Sequence, residues 1–437
     1  MKLSRRNFLA STSVALGAAA VAAPAVHGAD RNKTYKVALV GSGWWGMNIL
    51  GAAMDSKTVT PVALVDVDKR FLDPAKKKVD EKSAQNVKTF GDYREMLHEI
   101  KPEIVICATP DHWHPLITID AVKAGAHVYV EKPICHTLNE GKAMVKAARE
   151  TGKTVQVGTH RRVSPHNKSA MEFLKSGELG KIGMVRAFVH YQGGAGRKVE
   201  DAPVPDGLNW DMWCGPAPLV PYNPAMHPRG FRSFLNYANG QLGDWGIHWL
   251  DQILWWADSV GENAPKMVSS SGGRFIREDN TDMPDCQNVV FQFDSFSAEW
   301  EHRTFSGNAT EFTNIGLYFY GTKGILHLGW LDGWSYFKGG DSKGTPEKHV
   351  EPTLHEPDQQ NIPELWVDFI ESIETGRKPL CDIEIGNRST QMSLLGMLSQ
   401  KLGRSVQWDR EKQTVINDPE ALALMKREYR APWIYPE

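Results

Sequence analysis

Between residues 35 and 158, short apolar runs alternate with longer stretches whose apolar positions recur at helical spacing. The runs at 35–40, 60–66, 104–108, 127–130 and 154–157 predict strands buried on both faces, because they lack the apolar–polar alternation of a half-exposed sheet. The stretches around 45–54, 92–99, 114–124 and 138–150 predict helices, with Gly125 placed to close the third. This alternation predicts a doubly wound parallel α/β sheet, whose ligands lie beyond the carboxyl ends of its strands.

The pattern changes after residue 158. A helix is expected over 166–176, ending at Gly177, and strands over 184–191, 288–294, 297–303, 315–320 and 324–328. Such a succession predicts a large, open, mainly antiparallel sheet. A helix over 244–257 and amphipathic helices over Ile362–Ile373 and Ser389–Leu402 complete the pattern. The 193–243 stretch has no clear periodicity and many Gly and Pro, and a loop that long inside a compact domain is usually functional. Its Trp210, Trp213, Tyr222, His227, Arg229 and Arg232 suit a polar, ring-shaped substrate, while packing on itself or on a partner subunit stays open. The expected fold class is therefore α/β plus α+β, a Rossmann sheet followed by a second domain. The expected boundaries are a leader over 1–30, a first domain over 31–158 and a second over 159–437.

Composition narrows the partners. A chain of 437 residues with 41% hydrophobic and 23% charged residues is an ordinary globular sequence of about two domains. Its net charge of −2 favours neither nucleic acid nor an anionic membrane. Five scattered cysteines without C-x-x-C spacing argue against a zinc knuckle and against a complete disulfide framework, and leave one bridge open. No metal site is expected. Arg5-Arg6 followed by a weakly apolar stretch to Ala25, with Ala23-Pro24-Ala25 as a cleavage site, reads as a twin-arginine signal. That stretch is too short and too poor in leucine for a membrane span, so the expectation is a periplasmic or otherwise exported protein with no span in the mature chain.

The candidate chemistry starts at the first strand. Gly41-Ser42-Gly43-Trp44-Trp45-Gly46 follows it as G-x-G-x-x-G. Gly41 allows the tight turn, Gly43 lets backbone approach a pyrophosphate, and Gly46 lets the helix pack close. The helix N-terminus supplies free N–H groups and the positive end of its dipole. Asp66 ends the second strand 20 residues after Gly46, where a carboxylate accepts from the ribose 2′-hydroxyl of NAD. Lys69 and Arg70 are near enough to leave NADP open. Thr109, Pro110 and His114 follow the 104–108 strand, and Glu131-Lys132-Pro133 follows the 127–130 strand, so both segments overhang the cleft. Lys132 is placed to orient a substrate hydroxyl or exchange its proton, and Pro133 to take a cis bond. Asp244 and His248 stand four residues apart on the 244–257 helix and are expected to share a face. An imidazole beside a carboxylate is a good proton acceptor; a helix cap and a satisfied core histidine are the plainer reading.

These motifs together resemble the Gfo/Idh/MocA oxidoreductases, named for glucose-fructose oxidoreductase and inositol dehydrogenase. The resemblance rests on the glycine turn, Ala108-Thr109-Pro110 with His114, Glu131-Lys132-Pro133, Asp244-Trp245-Gly246-Ile247-His248, Tyr320-Gly321-Thr322-Lys323-Gly324, and Asp382 to Arg388. It implies a tightly bound NAD, contacted by residues 41–46, Asp66, Thr109, Pro110, His114, Glu131 and Lys132. It also implies that Lys132, Asp244 and His248 surround the reacting carbinol, with Arg161, Trp210 and Arg232 as further substrate contacts. In the implied reaction His248, polarised by Asp244, takes the hydroxyl proton while hydride passes to the nicotinamide. The implied substrate is a sugar, glycoside or cyclitol, and the implied assembly a homodimer or homotetramer. A redox-assisted glycoside hydrolase is the alternative, and a non-catalytic NAD-binding protein comes third. Trp45 and Trp245 are bulkier than the pattern needs and are expected to narrow the site.

Overall fold

A computed structural model describes residues 33–311, 313–340, 344–355 and 360–437. The twin-arginine stretch lies outside the described residues.

The first half builds the expected parallel sheet. Its elements are β1 (Tyr35–Val40), α1 (Trp44–Asp55), β2 (Val59–Val65), α2 (Lys69–Ser83), β3 (Lys88–Phe90), α3 (Tyr93–Ile100), β4 (Ile104–Cys107), α4 (His114–Lys123), β5 (His127–Val130), α5 (Leu138–Thr151) and β6 (Val155–Val157). The strand order is β3-β2-β1-β4-β5-β6, all parallel. The chain order therefore reverses between β1 and β4. That is where a doubly wound sheet opens a crevice for a ligand. Val37, Leu39, Ile104, Ile106 and Val128 are fully buried, which explains the unbroken apolar runs. Two elements go beyond the expected set. β3 is a three-residue edge strand with Lys88 and Thr89 exposed and only Phe90 half-buried. α2 is so rich in Lys and Asp that Leu72, Ala75 and Val79 alone mark its buried stripe.

Beyond β6 come α6 (Pro165–Lys175), β7 (Ile182–His190), the short α7 (Trp210–Cys214), a π-turn (Leu242–Gly246) and α8 (Ile247–Ala257). β8 (Met267–Gly273), β9 (Cys286–Gln292), β10 (Ser297–Arg303), β11 (Ile315–Gly321), β12 (Gly324–Gly329), β13 (Trp334–Lys338) and β14 (Lys348–Val350) follow. The chain ends with α9 (Ile362–Thr375), α10 (Ile383–Leu402), β15 (Val406–Asp409), β16 (Thr414–Val415) and α11 (Pro419–Ala423). Ten strands form one sheet, ordered β14-β13-β12-β11-β7-β10-β9-β8-β15-β16. It is antiparallel except where β10 runs parallel to β7. Its inner face carries Val185, Ala187, Phe291, Ala298, Trp300, Leu317 and Phe319, packed in one core with Trp249, Leu250 and Ile253 of α8.

α10 differs from its expected form. It starts six residues earlier, capped by the Asp382 carboxylate on the Glu384 N–H, and it is buried nearly all round rather than amphipathic. Packed against α5, α8 and β8, it has no solvent face to mark with charge. All five cysteines are free thiols, so the bridge left open does not form.

Candidate active site

Backbone geometry alone shapes the first wall of the site. Gly41 sits at φ +95°, and a Cβ there would stand 2.5 Å from the Ala108 carbonyl oxygen. A Cβ on Gly46 would run into the Gly41 carbonyl, so this glycine is what lets α1 lie against the turn. Gly43 is the N-cap of α1, carries no side-chain cap, and faces open space within 4 Å of its would-be Cβ. Free helix N–H groups beside an open surface are what a pyrophosphate needs. Ser42 turns inward, its N–H donating to Asp66 Oδ2 at 2.7 Å and its hydroxyl to the Val65 carbonyl at 3.4 Å. It braces Asp66 rather than lining the cleft. Burial pushes the Asp66 carboxyl up to about 6 against the N–H bonds of Asp68 and Ser42.

A cavity of about 490 Å³ runs from this turn across the carboxyl ends of β1, β4 and β5. Gly41, Gly43, Trp44, Trp45, Gly46, Asp66, Thr109, Pro110, His114, Glu131 and Lys132 line it, so nearly the whole expected nucleotide set converges on one space. His114 does so as a brace. Its ring nitrogens lie 2.7 Å from the Pro133 carbonyl and 2.8 Å from the Thr109 carbonyl, tying the loop after β5 to the loop after β4. Burial pushes its pKa down to about 4. Glu131 is buried, accepts from the Lys132 N–H at 3.1 Å, and is raised by burial against Lys132 and a Trp45 hydrogen bond. The Lys132–Pro133 peptide is cis.

The second wall comes from 112 residues further on. Lys132 Nζ donates to Asp244 Oδ1 at 2.8 Å and to the Asp244 carbonyl at 2.9 Å. Arg232 Nε donates to the same carboxylate oxygen at 3.1 Å. Burial works to raise Asp244, but Lys132 and Arg232 overcome it and hold the carboxyl down at about 2. This corrects the expected Asp244–His248 pairing. Asp244 belongs to the π-turn that precedes α8, and two cations claim its carboxylate. His248 also lines the cavity, but its Nδ1 is buried with no hydrogen-bond partner among the described residues. Burial, Lys132 and Arg161 hold its pKa well below the usual value, so the ring is neutral. Trp245 and Trp330 flank it, with ring centroids 6.0 Å and 5.0 Å away.

Asp111, like Trp330, is a site residue that motif reading missed. It lines the cavity, and burial raises it to about 7 while Arg232 and Lys132 pull it down and Asp244 pushes it up. Its place directly after Thr109-Pro110 was the available signal.

The 193–243 stretch packs on itself and roofs the cavity. Leu208, Trp210, Trp213, Tyr222, Phe231 and Tyr237 form a core of their own. His227 Nε2 lies 2.9 Å from Asp68 Oδ2, the Lys69 N–H donates to Gly207, and the Trp113 indole donates to the Trp213 carbonyl. Met212, Trp213, His227, Arg229, Phe231 and Arg232 reach the cavity. Trp210 does not, which corrects its expected substrate contact. Its ring stacks on Trp213 at 4.4 Å and its indole N–H donates to Val220 at 2.7 Å, so it is 6% exposed core. Arg161 lies one layer behind the cavity wall, its guanidinium 3.8 Å over the Trp330 ring.

Residues 35–159 match the family described as an oxidoreductase family with an NAD-binding Rossmann fold, and 182–274 with 337–435 match the C-terminal α/β domain of the same family. The chain is 35% identical over 102 residues to the scyllo-inositol 2-dehydrogenase (NAD(+)) of Bacillus subtilis (strain 168), covering 23% of this chain and 30% of that protein. The matches span between 26% and 45% of the length of such curated relatives. A levoglucosan dehydrogenase solved with NADH and levoglucosan superposes with a TM-score of 0.66 at 18% identity, over 86% of this chain and 99% of that one. The aldose-aldose oxidoreductase of Caulobacter crescentus, complexed with glycerol, gives 0.63 at 19%, over 86% and 100%. At these identities the structural likeness establishes a shared fold.

Proposed function

The chain belongs to the Gfo/Idh/MocA oxidoreductase family, and from that premise we propose that it is an NAD-dependent dehydrogenase acting on a hydroxyl or ketone of a sugar, glycoside or cyclitol. The carrying observation is the Lys132–Asp244 contact of 2.8 Å, which joins the end of the nucleotide sheet to the second domain inside the cavity walled by the glycine turn. Bound NAD supplies the hydride acceptor. The residues present fit it, because the turn leaves Gly43 open and Asp66 lines the same cavity. Arg70 is engaged by both oxygens of Asp68 and so is not free for a 2′-phosphate, which supports NAD over NADP.

Each residue at the reacting end has a definable task. An ammonium has three N–H bonds. Two of those on Lys132 are spent on Asp244, leaving one for a substrate hydroxyl oxygen. Asp244 fixes that ammonium and, with Arg232, balances its charge. Neutral His248 accepts the hydroxyl proton, a step worth about 10²–10⁴ in rate. Trp245 and Trp330 offer aromatic faces to a sugar ring. The dehydrogenase and oxidoreductase relatives favour net redox chemistry over redox-assisted hydrolysis.

Three further readings belong to this proposal. The roof formed by residues 193–243 supports slow nucleotide release. The Arg5-Arg6 motif supports export by the twin-arginine route, where retained NAD would be needed. The outer face of the ten-stranded sheet, with Tyr318, Tyr320, Val290 and Ile325 half-buried or exposed, supports pairing into a homodimer or homotetramer.

The test is the absorbance of the NAD-loaded protein at 340 nm while a panel of sugars and cyclitols is added. NADH formation with at least one of them is expected. Lys132→Met should cut that turnover by about 10³-fold while leaving NAD affinity within about twofold. Failure to bind NAD at millimolar concentration would remove the proposal.

A further inference from the structure

Two neighbouring arginines behind the cavity have opposite surroundings. Arg162 is paired with an acid, its Nε donating to Asp251 at 2.8 Å and 3.0 Å and its Nη2 to the Asp251 carbonyl. Arg161 is as deeply buried, at 2% exposure, yet no carboxylate among the described residues faces it. Its Nε and Nη2 have no hydrogen-bond partner among the described residues. Its Nη1 lies 3.5 Å from His166 Nε2, but His166 Nδ1 accepts from the Thr353 N–H. A neutral imidazole that accepts at Nδ1 carries its proton on Nε2. That contact is therefore donor to donor. His160, whose ring centroid is 5.5 Å from that of His248, also has both ring nitrogens buried and unpartnered among the described residues.

A buried, unpaired cation is expensive, and a protein keeps one where something arrives to pair with it. Burial lowers the pKa of Arg161 to about 9, so it carries its charge near neutral pH. The open edge, Nε with Nη2, is the side of a guanidinium that grips a carboxylate through two parallel hydrogen bonds. Trp330 stacks on this guanidinium and also lines the cavity, so the arginine stands directly behind the wall at the reacting end.

We propose that the substrate is an acidic sugar, and that its carboxylate pairs with the Nε–Nη2 edge of Arg161 beside His160 while its hydroxyl is held at Lys132 and His248. This rests on the dehydrogenase reading above and adds the substrate class to it. Reaching Arg161 requires the Trp330 indole to shift, so binding is visible in tryptophan fluorescence as well as in turnover.

The experiment titrates NAD-loaded protein with D-glucuronate, D-galacturonate and D-gluconate, against glucose, galactose and glucose 6-phosphate, by fluorescence and calorimetry. At least one of the three sugar acids should bind about tenfold or more tighter than the neutral sugars. Arg161→Met should erase that preference, and Arg161→Lys should restore part of it. Arg161→Met should also raise the melting temperature of the sugar-free protein, because it removes an unpaired buried charge. A lowered melting temperature with unchanged sugar-acid affinity would make Arg161 structural and overturn the assignment. Equal affinity for acids and neutral sugars, or preference for glucose 6-phosphate, would overturn it while NAD binding still upheld the dehydrogenase. Loss of NAD binding in the unaltered protein would overturn both.

Discussion

The two ends of the cavity are built by different means. The nucleotide end is local: β1, the Gly41–Gly46 turn, α1 and β2 supply it within about 30 consecutive residues, and its contacts are mostly backbone. The reacting end joins Lys132 after β5, Asp244 in a π-turn, Arg232 in the roof and His248 on α8, and its contacts are ionic. The first end tolerates no added atom where chain crosses chain. The second tolerates no lost charge. Damage to each should therefore show in a different observable.

The largest effect is expected from Gly46→Ala. Its methyl overlaps the Gly41 carbonyl, so thermal denaturation should show a loss of roughly 3 kcal/mol, and NAD binding should go with it. Gly43→Ala is the sharpening partner. With nothing within 4 Å of its Cβ, stability should fall by no more than about 1 kcal/mol, the cost of a poorer N-cap, while NAD affinity falls by about tenfold or more in calorimetry. Equal destabilisation by both substitutions would break the distinction between a packing glycine and a ligand-approach glycine.

Asp244→Asn comes next, at the ionic end. It leaves Lys132 and Arg232 without their carboxylate and should cost about 3 kcal/mol near neutral pH. A carboxyl held at about 2 stabilises the fold above its ordinary value, and that stabilisation is lost as pH falls through about 2. The unaltered protein should therefore lose this contribution between about pH 4 and pH 2, and the variant's acid-unfolding curve should be flatter across that window. NAD affinity above pH 6 should be unchanged.

Asp66→Asn should weaken NAD by about tenfold in calorimetry and narrow its margin over NADP. The smallest effect is expected at Trp210→Phe. It removes the hydrogen bond to Val220, worth about 1 kcal/mol of stability, and leaves the sugar KM unchanged. A raised KM would return Trp210 to the substrate wall.

How far each region could be read beforehand follows from the same contrast. The glycine spacing, Asp66 and the apolar runs are short-range signals, and β1, β4 and β5 lie within a residue of where hydrophobicity places them. α2 and β3 escaped because charge and exposure mask the period. Asp244 and His248 were marked as reactive residues, but their four-residue spacing assumed an α-helix where a π-turn rotates the carboxylate towards Lys132. Trp210 looked like a sugar platform because composition cannot tell an aromatic that lines a cavity from one that fills a core.

Sequence alone determined the parallel sheet, the nucleotide turn with its acidic partner, and the identity of the residues able to do chemistry, since each follows from periodicity or from local backbone demands. Tertiary structure decided which of those residues meet. It gave the Asp244 carboxylate to Lys132 and Arg232, folded residues 193–243 over the cleft, paired Arg162 with Asp251 and left Arg161 with no acid among the described residues. These pairings join residues 12, 89 and 112 positions apart, and no local pattern along the chain encodes that proximity.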